Sequence, residues 1–144
     1  MSEIEEILRT AVQQWKHDSY KYYNNKCIIT NSKGNNHVHH VFKSFVDIRN
    51  EVFDELNIPL NAKYLKELTQ EQLEYLRSTL LKKHYEYGLG VVLSIDLHKE
   101  FHKIYGTRNN TLKQFLDFAK SKGVLLEPIK ENGQMVLKRT IDNI

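Results

Sequence analysis

Leu93 to Gly106, LSIDLHKEFHKIYG, leaves the chain few options. Leu97, Phe101, Ile104 and Tyr105 recur at helical spacing and form one apolar stripe, while Lys99, Glu100 and Lys103 fall on the far side. His98 and His102 are four residues apart, so they stand one above the other at the edge of that stripe. Two imidazoles at this spacing can share a metal ion. The plainer reading is a pair of histidines that caps a core edge. Val91-Val92-Leu93, just before the helix, reads as a short strand, and Gly106 reads as the stop. A strand that runs straight into a helix needs a second strand beside it, and the histidine-bearing run near residue 40 is the candidate.

Length and composition bound the rest. A chain of 144 residues with 40% hydrophobic content is long enough for one compact domain with its own core. The formal charge of +3 is a mild basic bias that suits a polyanionic partner without requiring one. One cysteine, Cys27, excludes an intramolecular disulfide framework and a cysteine-rich zinc knuckle, and fits a reducing compartment. No apolar run approaches the roughly 20 residues of a membrane span. The acidic start MSEIEEIL lacks the apolar core of a secretory signal. The expectation is a cytoplasmic protein with no membrane partner.

In chain order, Ser2 to about Lys16 reads as a helix, with Ser2 and Glu5 as a capping box and Ile4, Ile7, Leu8, Val12 and Trp15 as its stripe. Lys16 and Lys21 with Tyr20, Tyr22 and Tyr23 form a basic, aromatic segment that reads as a partly buried linker or as a strip along a phosphate backbone. Two β-prone runs, residues 26–30 and 37–41, flank the turn-rich NSKGNN and suggest a hairpin. Phe42 to Leu56 reads as a helix, broken at Pro59. Thr69 to about Tyr85 reads as another, capped by Thr69 and Gln72 and ended by Gly88. Thr111 with Gln114 starts a further helix that ends near Gly123. The remaining residues read as a hairpin that turns at Asn132-Gly133, with Pro128 on an edge.

The histidines carry the functional signal. His39-His40 ends one short strand, and His98-x-x-x-His102 lies on a helix that follows a second. With the C-x-x-T before them, HVHHVFKSF and GVVLSIDLHKEFHKIYGTRNNTLKQF resemble the HNH endonuclease superfamily, in the branch of phage homing-type nucleases. The resemblance spans roughly Lys26 to Phe118. It implies an α+β fold: a ββα-metal core over about 26–118, a helical insertion over 42–88, a flanking N-terminal helix and a C-terminal extension over 122–144.

The same resemblance implies roles for single residues. His40 matches the general base, which takes a proton from the water that attacks phosphorus. His39, His98 and His102 match metal-ligand positions. The implied cofactor is a divalent ion: Mg2+, or a transition ion such as Mn2+, Zn2+ or Ni2+. The implied partner is double-stranded DNA, with a homodimer as an option, and Lys43, Arg49, Lys99, Lys103, Arg108 and Lys113 are candidate phosphate contacts. Gly90 stands where the family carries an asparagine that helps to hold the loop of the general base. His37 reads as a surface histidine or a support for a ligand, and His84 as a cationic histidine at a helix C-terminus. Adjacent strand residues face opposite ways, so one site can use both His39 and His40 only if the strand twists or ends between them.

Two other readings stay open. One is a catalytically impaired relative that binds nucleic acid or inhibits a protein. The other is a structural metal site that clamps strand to helix.

Overall fold

The computed structural model describes residues 2–140 and is mixed α and β. α1 (Glu3–Ala11) and α2 (Gln13–Tyr22) are followed by β1 (Asn36–His39), α3 (Phe45–Glu55), a 3-10 turn (Leu65–Glu67) and α4 (Gln70–Tyr87). Then come β2 (Val91–Ser94), α5 (Ile95–Tyr105), α6 (Leu112–Ser121), β3 (Leu126–Glu131) and β4 (Gln134–Arg139). The strands form two antiparallel pairs, β1 with β2 and β3 with β4.

The capping chemistry explains most boundaries. Thr69 and Gln72, and Thr111 and Gln114, form reciprocal capping boxes that start α4 and α6. Ser94 is the last residue of β2 and also caps α5, accepting from the Leu97 amide, so no loop separates strand from helix. Gly106 ends α5 at φ 87. Asn132 and Gly133, both at positive φ, form the tight turn between β3 and β4.

Several expectations are corrected. Ser2 does accept from the Glu5 amide, but the Glu5 carboxylate turns to Arg9 instead of closing a capping box. The first helix breaks at Val12 and resumes as α2 through Tyr22, so the tyrosine-rich segment is helical as far as that residue. Residues 26–30 do not pair with 37–41: Lys26 makes one isolated bridge with Lys33, and β1 pairs with β2 instead. Phe42 lies outside α3, which Ser44 caps. Ile104 is 59% exposed, so the apolar stripe of α5 rests on Phe101, with Leu97 and Tyr105 beside it.

Apolar burial falls into two large clusters and a joint. Ile4, Leu8, Ile48, Val52, Phe53, Leu76 and Leu80 pack α1, α3 and α4 together. Val91, Leu93, Phe101, Phe115, Phe118 and Leu137 join β2, α5, α6 and β4. Trp15, Leu89 and Val136 form a third, smaller cluster, with α2, β1, α4 and β3 residues against it. Tyr20 anchors β1 by donating to the Asn36 carbonyl at 2.8 Å. Among the described residues, no helix is long and apolar enough to cross a membrane.

Candidate metal centre

β1 alternates faces, and that alternation sorts the histidines. His37 and His39 face α5: the His39 ring lies 5.1 Å from His98 and 5.3 Å from His102, and the His37 ring lies 5.3 Å from His98. Val38 and His40 face the other way, toward Trp15, whose ring stacks on His40 at 4.4 Å. The strand ends at His39, and His40, the next residue, keeps to the face of Val38. His39 and His40 line one groove of about 430 Å³ from two sides, together with His37, His98, His102, Arg9, Lys16 and Asn110.

His39, His98 and His102 each offer a ring nitrogen within 4.8 Å of the other two. Nε2 of His98 and Nε2 of His102 are 2.9 Å apart. That is close to the spacing of two nitrogens bound side by side to one ion at about 2.1 Å. Nε2 of His39 is buried and has no hydrogen-bond partner, although the ring packs against Phe101 and Phe115. A buried, unpaired imidazole nitrogen costs free energy unless something occupies its lone pair, and a cation does that.

The surrounding hydrogen bonds set the tautomers. Nδ1 of His102 donates to the Gly106 carbonyl at 2.8 Å, which leaves Nε2 as the lone pair. Without an ion, His98 must then donate from Nε2 to His102. Its Nδ1 therefore accepts from Nδ1 of His37 at 3.1 Å. When an ion takes both Nε2 lone pairs, the His98 proton belongs on Nδ1, with His37 as its acceptor. His37 is exposed yet bonded to His98, a contact that an idle surface histidine would lack. Burial, reinforced by His102 and His37, lowers His98 to about 4, and burial with His98 and His102 lowers His39 well below the ordinary range. Both are neutral at pH 7, as ligands must be.

His40 belongs to a second constellation. Its Nε2 lies 3.0 Å from Nε2 of His84. His84 is fully buried, and its Nδ1 bonds to the Leu80 carbonyl at 2.8 Å. Burial lowers His84 to about 4, with Lys16 acting in the same direction. His84 is thus neutral and internal, not a cation at a helix end. Its position four residues after Leu80 and eight after Leu76 puts it on the buried face of α4, a spacing that the helix-end reading passed over. Burial, then His84, His39, Lys16 and Arg9, holds His40 well below its usual value.

Gly90 has a steric reason. A Cβ there would meet Val38 Cγ1 at 2.5 Å, the His39 carbonyl at 2.9 Å and Trp15 Cη2 at 2.9 Å. No asparagine fits that position in this fold.

The six cations expected to meet phosphate stand elsewhere. Lys43 pairs with Glu51, Lys113 pairs with Asp117, and Arg49 donates to the Leu60 carbonyl above the Phe53 ring. Lys99, Lys103 and Arg108 are exposed but do not line the groove. Arg9 and Lys16 do: Lys16 belongs to the basic, aromatic segment of α2, whereas Arg9 lies on α1, where an apolar stripe masked it. Asn110 donates to the Gly106 carbonyl, a turn-stabilising contact.

No family model, curated protein or solved structure matches the chain.

Proposed function

We propose that the chain is a metal-dependent endonuclease of the HNH type, acting on DNA, with β1, β2 and α5 as its ββα-metal core. One observation carries the reading: the His39, His98 and His102 nitrogens converge beside His40 in a single groove. The orphaned Nε2 of His39 and the fixed tautomer of His102 suit an ion.

The three histidines would hold a divalent cation, which when bound stabilises the charge that grows on the phosphate and the departing oxygen. An all-imidazole set favours Mn2+, Zn2+ or Ni2+ in affinity, whereas Mg2+ would rely on water and phosphate oxygens. Arg9 and Lys16 offer positive charge on the facing wall. The neutral His40 has a lone pair ready for a proton. It removes one from water as the water oxygen bonds to phosphorus, the P–O3′ bond breaks, and the departing oxygen is protonated from solvent. An incoming phosphate brings negative charge that raises the His40 basicity from its depressed value.

The test is a nicking assay on supercoiled plasmid with Mg2+, Mn2+, Zn2+ and Ni2+, run with His40→Ala and His102→Ala. Metal-dependent relaxation in wild type, lost in both variants, supports the nuclease. Tight DNA or protein binding with no cleavage under any ion points to the impaired relative. The clamp reading draws on the burial of His39 between Phe101 and Phe115. It expects chelation to lower the melting temperature sharply while wild type cuts nothing.

A further inference from the structure

His40 and His84 form a buried contact whose protons can be assigned from the hydrogen bonds alone. The Leu80 carbonyl accepts only, so Nδ1 of His84 carries its proton. A neutral imidazole has one N–H, so Nε2 of His84 is a lone pair. The 3.0 Å contact between the two Nε2 atoms then requires that His40 donate from Nε2. The lone pair of His40 is left on Nδ1, which has no hydrogen bond among the described residues and is not one of the buried orphan atoms, so it opens to the groove. Trp15 fixes the ring plane: its Nε1 donates to the Gly88 carbonyl at 3.1 Å, and its face stacks on His40. The edge of His84 lies 5.0 Å from the same indole.

We propose that His84 is the positioning residue of His40: it accepts the Nε2 proton and so keeps the reactive lone pair on Nδ1, toward the groove. As His40 takes up a second proton, His84 Nε2 remains its acceptor and stabilises the imidazolium. The task is carried by α4, because a side chain at position 90 would collide with Val38, the His39 carbonyl and Trp15. The inference rests on the nuclease reading for its catalytic meaning, while the tautomer assignment stands on geometry.

The experiment has two arms. The first needs no DNA. Long-range 1H–15N spectra of the wild-type chain at pH 7.5 report each histidine tautomer. The expected result is His84 as Nδ1–H and His40 as Nε2–H. A His40 signal of the Nδ1–H type overturns the proposal without any variant. In His84→Leu, which removes the acceptor, His40 is expected to become a mixture of tautomers; an unchanged Nε2–H signal in a folded variant overturns it. His84→Gln, whose amide oxygen can accept at the same depth, is expected to restore the wild-type form.

The second arm measures plasmid nicking. His84→Leu is expected to lower kcat by about 100-fold, with KM and Mn2+ affinity within about twofold, and His84→Gln to recover most of kcat. A fall in Mn2+ affinity matching the fall in kcat overturns the role. If wild type cuts nothing with any ion, the nuclease reading fails, and the spectra still decide the tautomer.

Discussion

At the residue scale, each histidine of the groove owes its state to a specific neighbour. His37 supports His98 through one 3.1 Å contact. His37→Ala is therefore expected to weaken Mn2+ binding about tenfold by calorimetry, within the usual span for residues that orient a ligand. His102→Ala, which removes a ligand outright, should weaken it further. Gly90 offers a test of packing. Gly90→Asn forces a side chain against Val38, the His39 carbonyl and Trp15, and should cost about 1–3 kcal/mol in urea unfolding. The sequence made the His98/His102 pair legible, because helical spacing alone puts them together. It also named His39, whose nitrogen joins theirs. It did not reveal the partners of the buried His84 or the place of Arg9, whereas Lys16 already stood in the basic, aromatic segment that could follow a phosphate backbone. The row Leu76, Leu80, His84 at four-residue spacing marks its face as buried, but the partners on that face, Trp15 and His40, come from elsewhere in the chain.

At the element scale, what could be read was whatever short-range chemistry decides. The capping boxes of α4 and α6, the glycine that ends α5 and the Asn132-Gly133 turn all stand where the sequence put them. Thr69→Ala should cost about 1 kcal/mol of stability by losing one such cap. What could not be read was partner choice. Residues 26–30 and 91–94 are both β-prone and both join the cluster on α5 and α6, so apolar content does not say which of them β1 pairs with. The break at Val12 was equally hidden, because one apolar stripe runs through it. α4 carries one of several pH signatures, alongside those of His39, His40 and His98. Its His84 is lowered from 6.5 to about 4, so the folded state resists the second proton and the unfolded chain accepts it. That contribution is complete above pH 6.5 and is lost as pH falls toward 4, at about 1.4 kcal/mol per pH unit. Urea midpoints for wild type should fall across that window, and the fall should be shallower in His84→Gln.

At the scale of the whole molecule, the groove lies where a helical cluster and a mixed cluster meet. Trp15, the one tryptophan, sits at their joint, so its emission reports on both. An ion held by His39 of β1 and by His98 and His102 of α5 would tie strand to helix. Mn2+ at about 100 times its dissociation constant is expected to add about 2.7 kcal/mol to unfolding followed by Trp15 emission, and excess chelator should reverse the gain.

The faces of β1 have one more consequence. His37 and His39 look toward α5, whereas Val38 and His40, the residue after the strand, look toward Trp15 of α2. Parity therefore divides the labour between two consecutive imidazoles. Adding or removing one residue inside β1 would swap their destinations while leaving composition almost untouched, so the segment should accept point changes far more readily than a change of length.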